Sequence, residues 1–171
     1  MKKCLFLLLL PLLLTGCGDQ ETYETVSDEI LQPVAAIAQQ TVVQLPDGAA
    51  VSVMQNDEEG TLYFCQGYTM TMQTMEAGDL NRTVKAVTGY GKDDLQLIRS
   101  GSHDAVRYDC VWAAAGEGED QVGRAAILDD GNYHYVLTCM TGASQAEALQ
   151  EHWQALFESF SLASTDLRTG S

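Results

Sequence analysis

Basic residues are scarce in this chain. Nine lysines and arginines stand against 24 aspartates and glutamates, so the formal net charge is −15 at pH 7. A protein that binds nucleic acid needs clustered Lys and Arg to neutralise phosphates, and we therefore expect no nucleic-acid partner. The same acidity repels anionic lipid head groups, which excludes attachment to a membrane through a polybasic patch. A high net charge of one sign is, on the other hand, typical of a soluble surface.

Histidine is also scarce, and the motifs of common hydrolases and zinc enzymes are missing. There is no Gly-x-Ser-x-Gly, no Ser-x-x-Lys and no His-Glu-x-x-His. Of the three histidines, His103 falls in a loop next to Asp104, His134 falls on a strand at a surface or half-buried position, and His152 lies on the exposed side of the last helix. No two of them have metal-ligand spacing. The sequence predicts no enzyme, no catalytic residues, no metal and no cofactor.

Two other patterns would suit a metal, and each has a plainer interpretation. Met70, Met72 and Met75 could offer thioethers to copper, but the alternation of Thr61–Gln73 predicts one strand whose apolar face belongs to the core. That predicted face comprises Leu62, Phe64, Tyr68, Met70 and Met72. Three acidic clusters could hold calcium weakly, but they fit solvated turns better. The clusters are residues 57–59, 93–94 and 117–120.

No apolar run is long enough to span a bilayer. As a helix, Leu5–Leu14 would measure about 15 Å, whereas the hydrocarbon core is about 30 Å thick. Pro11 weakens such a helix further. The run follows Met1-Lys2-Lys3, and a short basic start before a short apolar stretch is typical of a secretory signal peptide.

The last residue of this run and the three residues after it are Leu14-Thr15-Gly16-Cys17. They resemble the lipobox of bacterial lipoproteins. The resemblance implies that the Cys17 thiol carries a thioether-linked diacylglycerol, that a signal peptidase cuts between Gly16 and Cys17, and that the lipid holds the protein on the extracytoplasmic face of the cell membrane. Two acyl chains, at about 0.8 kcal/mol per buried methylene, anchor far more firmly than one. The alternative is an ordinary signal peptide with a chance cysteine. Inner versus outer membrane stays open.

The chain then divides into parts. Residues 1–16 are the expected signal peptide, and residues 17–32 are an expected lipidated N-terminus and flexible tether, being polar and without apolar periodicity. Residues 33–163 are long enough for a single globular domain with its own core. Residues 164–171 are an expected disordered tail. A short helix could form within residues 28–40 if it begins at Pro33.

The domain has alternating strand patterns and two helix signals. A helix over residues 80–88 is capped by Asp79 and ends at Gly89. Short, turn-rich links between the later strands favour antiparallel neighbours. The predicted strands are Thr41–Leu45, Ala50–Met54, Thr61–Gln73, Leu95–Arg99, Ala105–Ala114, Gln121–Asp129, Tyr133–Thr141 and a final edge strand at Ser159–Leu162.

The last helix has the clearest signal. Ser144-Gln145-Ala146-Glu147 has the spelling of a capping box, and an apolar stripe then recurs at helical spacing. The stripe comprises Leu149, Trp153, Leu156, Phe157 and Phe160. Arg124 needs a carboxylate or must reach the rim if its face of the sheet is covered, and is merely exposed if the other face is. The fold class expected is α+β, an antiparallel sheet with helices packed mainly on one face.

This order of elements resembles the PsbP-like fold over roughly residues 40–163. The resemblance rests on a strand ending in Leu45-Pro46, a mid-chain helix, a closing strand–helix–strand from Tyr133 to Leu162, and the helix ending with Trp153 and Ser159-Phe160. It implies a sandwich of sheet and helices. Several bacterial lipoproteins of unknown role use the same fold, which carries no single function.

Three cysteines remain beyond the lipid site: Cys65, Cys110 and Cys139. Each lies within a predicted strand, and whether two of them form a disulfide is left open. The function expected is a non-catalytic interaction or assembly role next to the membrane, with an envelope protein as partner. The first alternative is a module that binds a small ligand in an aromatic pocket between sheet and helix, and the second is an extracytoplasmic enzyme. Candidates for that pocket are Tyr63, Tyr68, Trp112, Tyr133 and Tyr135.

Overall fold

Seven strands form one antiparallel sheet in the computed structural model, which describes residues 36–56, 60–101 and 105–163. Two short strands, β1 (Thr41–Val42) and β9 (Ser161–Leu162), pair with each other. The α+β class and the antiparallel sheet are confirmed, whereas the final strand begins at Ser161 instead of Ser159 and pairs with β1 outside the large sheet. In spatial order the large sheet comprises β2 (Ala50–Asn56), β3 (Gly60–Cys65), β4 (Tyr68–Glu76), β8 (Tyr133–Gly142), β7 (Gln121–Asp129), β6 (Val106–Ala114) and β5 (Ile98–Gly101).

Helix α1 (Leu80–Thr88) has the ends that its sequence predicts. The Asp79 carboxylate accepts a hydrogen bond of 3.0 Å from the backbone N–H of Asn81, one of the first-turn donors that have no partner inside a helix. Gly89 ends the helix in the left-handed region at φ 81°, which glycine adopts without steric cost. Between these ends, Val84 is fully buried against the sheet.

The two helices lie on opposite faces of the sheet. Val84 of α1 packs on Ile127 and Val136, whereas α2 (Gln150–Ser159) packs on the neighbouring positions Leu128 and Leu137. Successive strand residues point to opposite faces, so one helix covers each side. The expected placement of the helices mainly on one face is corrected here. Both central strands, β7 and β8, are consequently buried along most of their length.

The apolar stripe of α2 is confirmed, but its predicted N-terminal cap is wrong. Trp153, Leu156 and Phe157 are buried. The helix begins at Gln150, after a 3₁₀ turn at Ala143–Gln145. The Ser144 hydroxyl does not cap it, because this hydroxyl donates 2.9 Å to the Glu119 carboxylate in the β6–β7 loop.

The single strand predicted at Thr61–Gln73 is a hairpin. The chain reverses at Gln66-Gly67, and Gly67 has φ 84°, which a side chain would disfavour. Tyr63 therefore pairs with Met70, and Cys65 pairs with Tyr68. Directly paired residues share a face, so Met70 lies with Tyr63 and Cys65, and the predicted grouping with Leu62 and Phe64 is wrong.

Residues 36–40 adopt neither helix nor strand, so the described end of the predicted 28–40 helix is not helical. The compact unit that contains the sheet begins at Ala36. The signal peptide, Cys17, the tether, the acidic cluster at residues 57–59, His103 and the tail lie outside the described residues. Among the described helices, none has both the length and the apolar character to span a membrane.

Candidate functional site

A groove with a volume of about 550 Å³ opens on the sheet face that α2 covers, between the start of α2 and strands β5 to β7. Its lining is mainly apolar. Ile98 and Val111, which are 61% and 60% exposed, lie where α2 leaves the outer strands uncovered. We call this feature the groove. Its lining residues are Gln96, Ile98, Asp109, Cys110, Val111, Val122, Arg124, Ala146, Glu147, Gln150 and Trp153.

Arg124 lies between the groove and the core. Its guanidinium carbon is 4.4 Å from the centre of the Phe157 ring, a cation–π geometry. Its Nη2 atom is 4.0 Å from Oδ1 of Asp109. The sequence left open whether the Arg124 side chain lies on a covered or an exposed face of the sheet. It lies on the face that α2 covers, where it contacts both an aromatic ring and a carboxylate.

Asp109 has a closer partner in Arg107. The Arg107 Nε and Nη2 atoms donate to the two carboxylate oxygens at 2.7 and 2.9 Å, a bidentate arrangement. Arg107 also donates to the carbonyls of Phe157 and Phe160, at 2.9 and 3.2 Å, which satisfies acceptors at the end of α2. Because Asp109 is held by Arg107, the charge of Arg124 is less completely neutralised than that of Arg107.

Trp153 forms part of the groove wall. Its side chain is 5% exposed, and its indole Nε1 has no hydrogen-bond partner among the residues that the structure describes. A buried donor without an acceptor costs about 1–3 kcal/mol. The sequence placed Trp153 in the apolar stripe of the last helix, and nothing in the periodicity signals an unsatisfied N–H or a groove beside it.

Four of the five aromatic residues proposed for a ligand pocket share one core cluster, and the fifth lies on the other face of the sheet. Tyr63, Tyr68, Tyr133 and Tyr135 pack on the α2 face, whereas Trp112 lies on the α1 face with Ala125. None of the five lines the groove. The groove between the sheet and α2 is therefore a different feature from the aromatic pocket that the sequence suggested.

His134 is buried, and its predicted surface or half-buried position is wrong. The side chain is 1% exposed, its Nδ1 atom is 2.7 Å from the Thr83 hydroxyl, and its Nε2 atom is 3.7 Å from the Asp129 carboxylate. The imidazole therefore joins α1 to the sheet. His152 is exposed as predicted, and its Nε2 atom is 3.0 Å from the Tyr68 hydroxyl.

All three cysteines of the domain are free thiols. Cys65 and Cys139 share the α2 face, but β4 lies between their strands. Two strand spacings separate their backbones by about 10 Å, more than the roughly 7 Å that a disulfide tolerates. Cys110 is on the opposite face.

The cysteine thiols are poor nucleophiles in this environment. Burial raises the pKa of Cys110 to about 11, and the Asp109 charge contributes to the shift. Burial also raises the pKa of Cys139 and of Cys65. The reactive species is the thiolate, so these thiols are protonated and unreactive near neutral pH.

The methionines do not converge on one point. Met70 and Met72 belong to the core under α2, and Met75 packs on the other face with α1. Within the described ranges, no group of three or more His, Cys, Asp or Glu side chains is arranged to hold a metal ion.

A polar contact fastens the first described residues to the turn between β7 and β8. The backbone N–H of Gln39 donates 2.7 Å to the Tyr135 hydroxyl, and the Gln39 amide and Tyr135 hydroxyl each donate 2.9 Å to Oδ2 of Asp130. Burial alone would raise the pKa of Asp130, but hydrogen bonds from the Tyr133 and Asn132 backbone and from these two side chains outweigh it and lower that pKa. We call this cluster the latch.

No family model matches the sequence, and no curated protein matches it. Among solved structures, a cyanobacterial PsbP (CyanoP) from Synechocystis sp. PCC 6803 matches with a TM-score of 0.51 and 10% identity, over 75% of this chain and 95% of that one. A crystal structure from Bacteroides thetaiotaomicron VPI-5482 matches with a TM-score of 0.49 and 12% identity, over 73% of this chain and 46% of that one, so this chain spans about half of its length. The predicted resemblance to the PsbP-like fold is confirmed, and at such identities the likeness concerns the fold alone.

Proposed function

We propose that this chain is a bacterial lipoprotein that is held by lipid on Cys17 at the extracytoplasmic face of the cell membrane, and that its PsbP-like domain binds an envelope component without catalysing a reaction. The observation that carries the proposal is the run Leu14-Thr15-Gly16-Cys17, placed directly after a short apolar stretch and ahead of the domain. Such a leader is too short to remain as a membrane span, so the lipid is the anchor.

Chain length limits where such a domain works. Residues 18–35 lie between the lipid site and the compact unit that begins at Ala36. Fully extended, they span at most roughly 60 Å. The domain would thus meet components close to the bilayer. The latch holds Gln39, near the start of this compact unit, at the β7–β8 turn.

The non-catalytic part of the proposal is supported by the side chains that could take part in catalysis, because those described below make contacts that stabilise the fold. His134 joins α1 to the sheet, and its imidazole is enclosed. Arg107 and Asp109 form an ion pair at the end of α2. Burial keeps the pKa of the Cys110 thiol high, at about 11. Each of these side chains serves the packing of the domain.

Counting thiols tests the anchor. The chain contains five cysteines, and two of them, Cys4 and Cys17, precede the domain. In protein purified from bacterial membranes, reduced and denatured, iodoacetamide is expected to alkylate only Cys65, Cys110 and Cys139, since the leader is removed and the Cys17 sulfur is a thioether. Mass spectrometry should show an N-terminal peptide that carries diacylglycerol on Cys17.

Cys17→Ser removes the acylated atom and is expected to move the protein from the detergent-rich to the aqueous phase in a cloud-point partition, or to leave its leader uncut. Cys65→Ser is the matched control, because it removes a domain thiol and should leave partitioning unchanged. An unmodified Cys17 in correctly cut protein contradicts the anchor, and so does equal partitioning of wild type and of Cys17→Ser from which the leader has been removed. The binding role is tested by crosslinking on intact cells. Capture of one defined envelope component by wild type supports it, and the absence of any captured envelope component contradicts it.

A further inference from the structure

The groove combines an apolar floor with a guanidinium that has spare donor capacity. Val111 and Ile98 expose most of their side chains on its floor. The donor is Arg124, which reaches Asp109 only at 4.0 Å and whose side chain is 27% exposed. Donors that are enclosed by apolar surface favour a ligand that supplies a strong acceptor and an apolar body together.

The charged side chains around the groove determine which charge a ligand should carry. The Asp109 carboxylate is held at both oxygens by Arg107, so this pair is close to neutral. Arg124 remains as the cation inside the groove, with the exposed Glu147 carboxylate at its rim as the opposing charge. The acidic residues elsewhere are screened over about 8 Å at physiological ionic strength, so at contact distance the guanidinium outweighs the net charge of −15.

We propose that the groove binds a small amphiphile that carries a carboxylate, with its apolar part on the Val111 floor and its carboxylate on Arg124 and the Trp153 wall. A volume of about 550 Å³ falls within the range of small-molecule sites. The carboxylate accepts from the Arg124 guanidinium, and the Trp153 side chain forms the wall beside it. This proposal does not depend on the lipid anchor, since every residue it uses belongs to the sheet and α2.

The two tryptophans give a direct readout, because they lie on opposite faces of the sheet. Trp153 lines the groove, whereas Trp112 packs on the α1 face. The full chain is labelled with 5-fluorotryptophan, placed in phosphatidylcholine nanodiscs, and titrated with octanoate while ¹⁹F NMR spectra are recorded. Trp112→Phe assigns the two signals. We expect a saturable shift of the Trp153 signal, with the Trp112 signal unchanged.

Matched ligands and variants test the chemistry. Octyltrimethylammonium has the same chain with the opposite charge and is expected to leave the Trp153 signal in place. Arg124→Gln should weaken octanoate binding about tenfold or more, because it removes a charge-assisted hydrogen bond. Val111→Glu puts a carboxylate on the floor and should abolish the shift. Val51→Glu is its control, being an exposed valine on β2 at the other edge of the sheet.

Three results would overturn the proposal. The first is a Trp153 signal that octanoate does not move. The second is an equal shift with octanoate and octyltrimethylammonium, which would mean that the groove takes up any apolar chain. The third is wild-type affinity in both Arg124→Gln and Val111→Glu. Retention of the Trp112 ¹⁹F signal at its wild-type position in the unliganded Val111→Glu variant shows that the domain is folded, because Trp112 lies on the opposite face of the sheet.

Discussion

His134 on β8 and Thr83 on α1 are joined by a contact of 2.7 Å between the imidazole Nδ1 and the threonine hydroxyl, and both side chains are buried. Val84, Ile127 and Val136 form an apolar layer between the same helix and the same sheet. A polar group in such a layer is tolerated because it has a partner there. The contact therefore fixes α1 at one position on the sheet. The apolar contacts alone are not directional and would define this position less precisely.

Thr83→Val keeps the shape of this side chain and removes the hydroxyl. We expect the free energy of unfolding to fall by about 1–3 kcal/mol, since Nδ1 of the buried His134 loses its partner. Urea denaturation at pH 7 measures the change. Thr74→Val is the control, because Thr74 is half-buried on β4, on the opposite face of the sheet. The double variant Thr83→Val with His134→Leu should recover most of the loss, as both polar partners are gone. Equal stability of Thr83→Val and Thr74→Val would contradict the role of the contact.

The sequence was sufficient to predict those features of the structure that depend on residues close together along the chain. Asp79 and Gly89 mark the ends of α1 correctly because a cap is made by residues two to four positions away. The strands Gln121–Asp129 and Tyr133–Gly142 follow from alternation and the turn between them. The apolar stripe of α2 follows in the same way from a period of 3.6 residues.

The sequence was not sufficient to predict those features of the structure that depend on residues far apart along the chain. Ser144 has a capping-box spelling, but Glu119 from another loop takes its hydroxyl. His134 alternates with two tyrosines like a surface residue, and only the position of α1 on the second face buries it. The groove could not be predicted for the same reason. It lies where α2 leaves part of the sheet uncovered, and no residue pattern shows how far a helix extends over a sheet.

The latch gives stability a defined pH dependence. The pKa of Asp130 in the folded protein is lower than the ordinary value of about 3.9, because hydrogen bonds favour the ionised form. The contribution of this carboxylate to stability is therefore fully present above pH 4–5 and is lost as the pH falls through the folded-state pKa. Asp130→Asn should lower the free energy of unfolding at pH 7 by about 1 kcal/mol.

The difference between wild type and Asp130→Asn is expected to shrink as the pH is lowered from 5 to 2, because the wild-type carboxyl becomes protonated there. Urea denaturation at pH 7, 5, 3 and 2 gives the four differences. Asp93→Asn controls for the loss of one negative charge, since Asp93 is an exposed residue of a 3₁₀ turn. A difference that is constant over this range, or that grows towards low pH, would refute the assignment.

Gly123 on β7 lies directly under the indole ring of Trp112 on β6. The two residues are paired across the strands, and a Cβ atom at position 123 would overlap Cζ2 and Cε2 of the ring. A glycine inside a strand usually weakens it, and here it makes room for a buried ring. Gly123→Ala should therefore reduce the free energy of unfolding by about 1–3 kcal/mol, because the ring or the strand must shift.

Gly78→Ala is the matched control, because nothing lies within 4 Å of its Cβ position and its φ is not positive. That substitution is expected to be neutral or to stabilise by up to about 1 kcal/mol, through the lower entropy of the unfolded chain. Adding Trp112→Phe to Gly123→Ala should cost less than the sum of the two single changes, since the smaller ring leaves space for the methyl group. If the two changes were instead additive, or if Gly123→Ala were no more harmful than Gly78→Ala, then the close approach of ring and backbone would not be what requires glycine at this position.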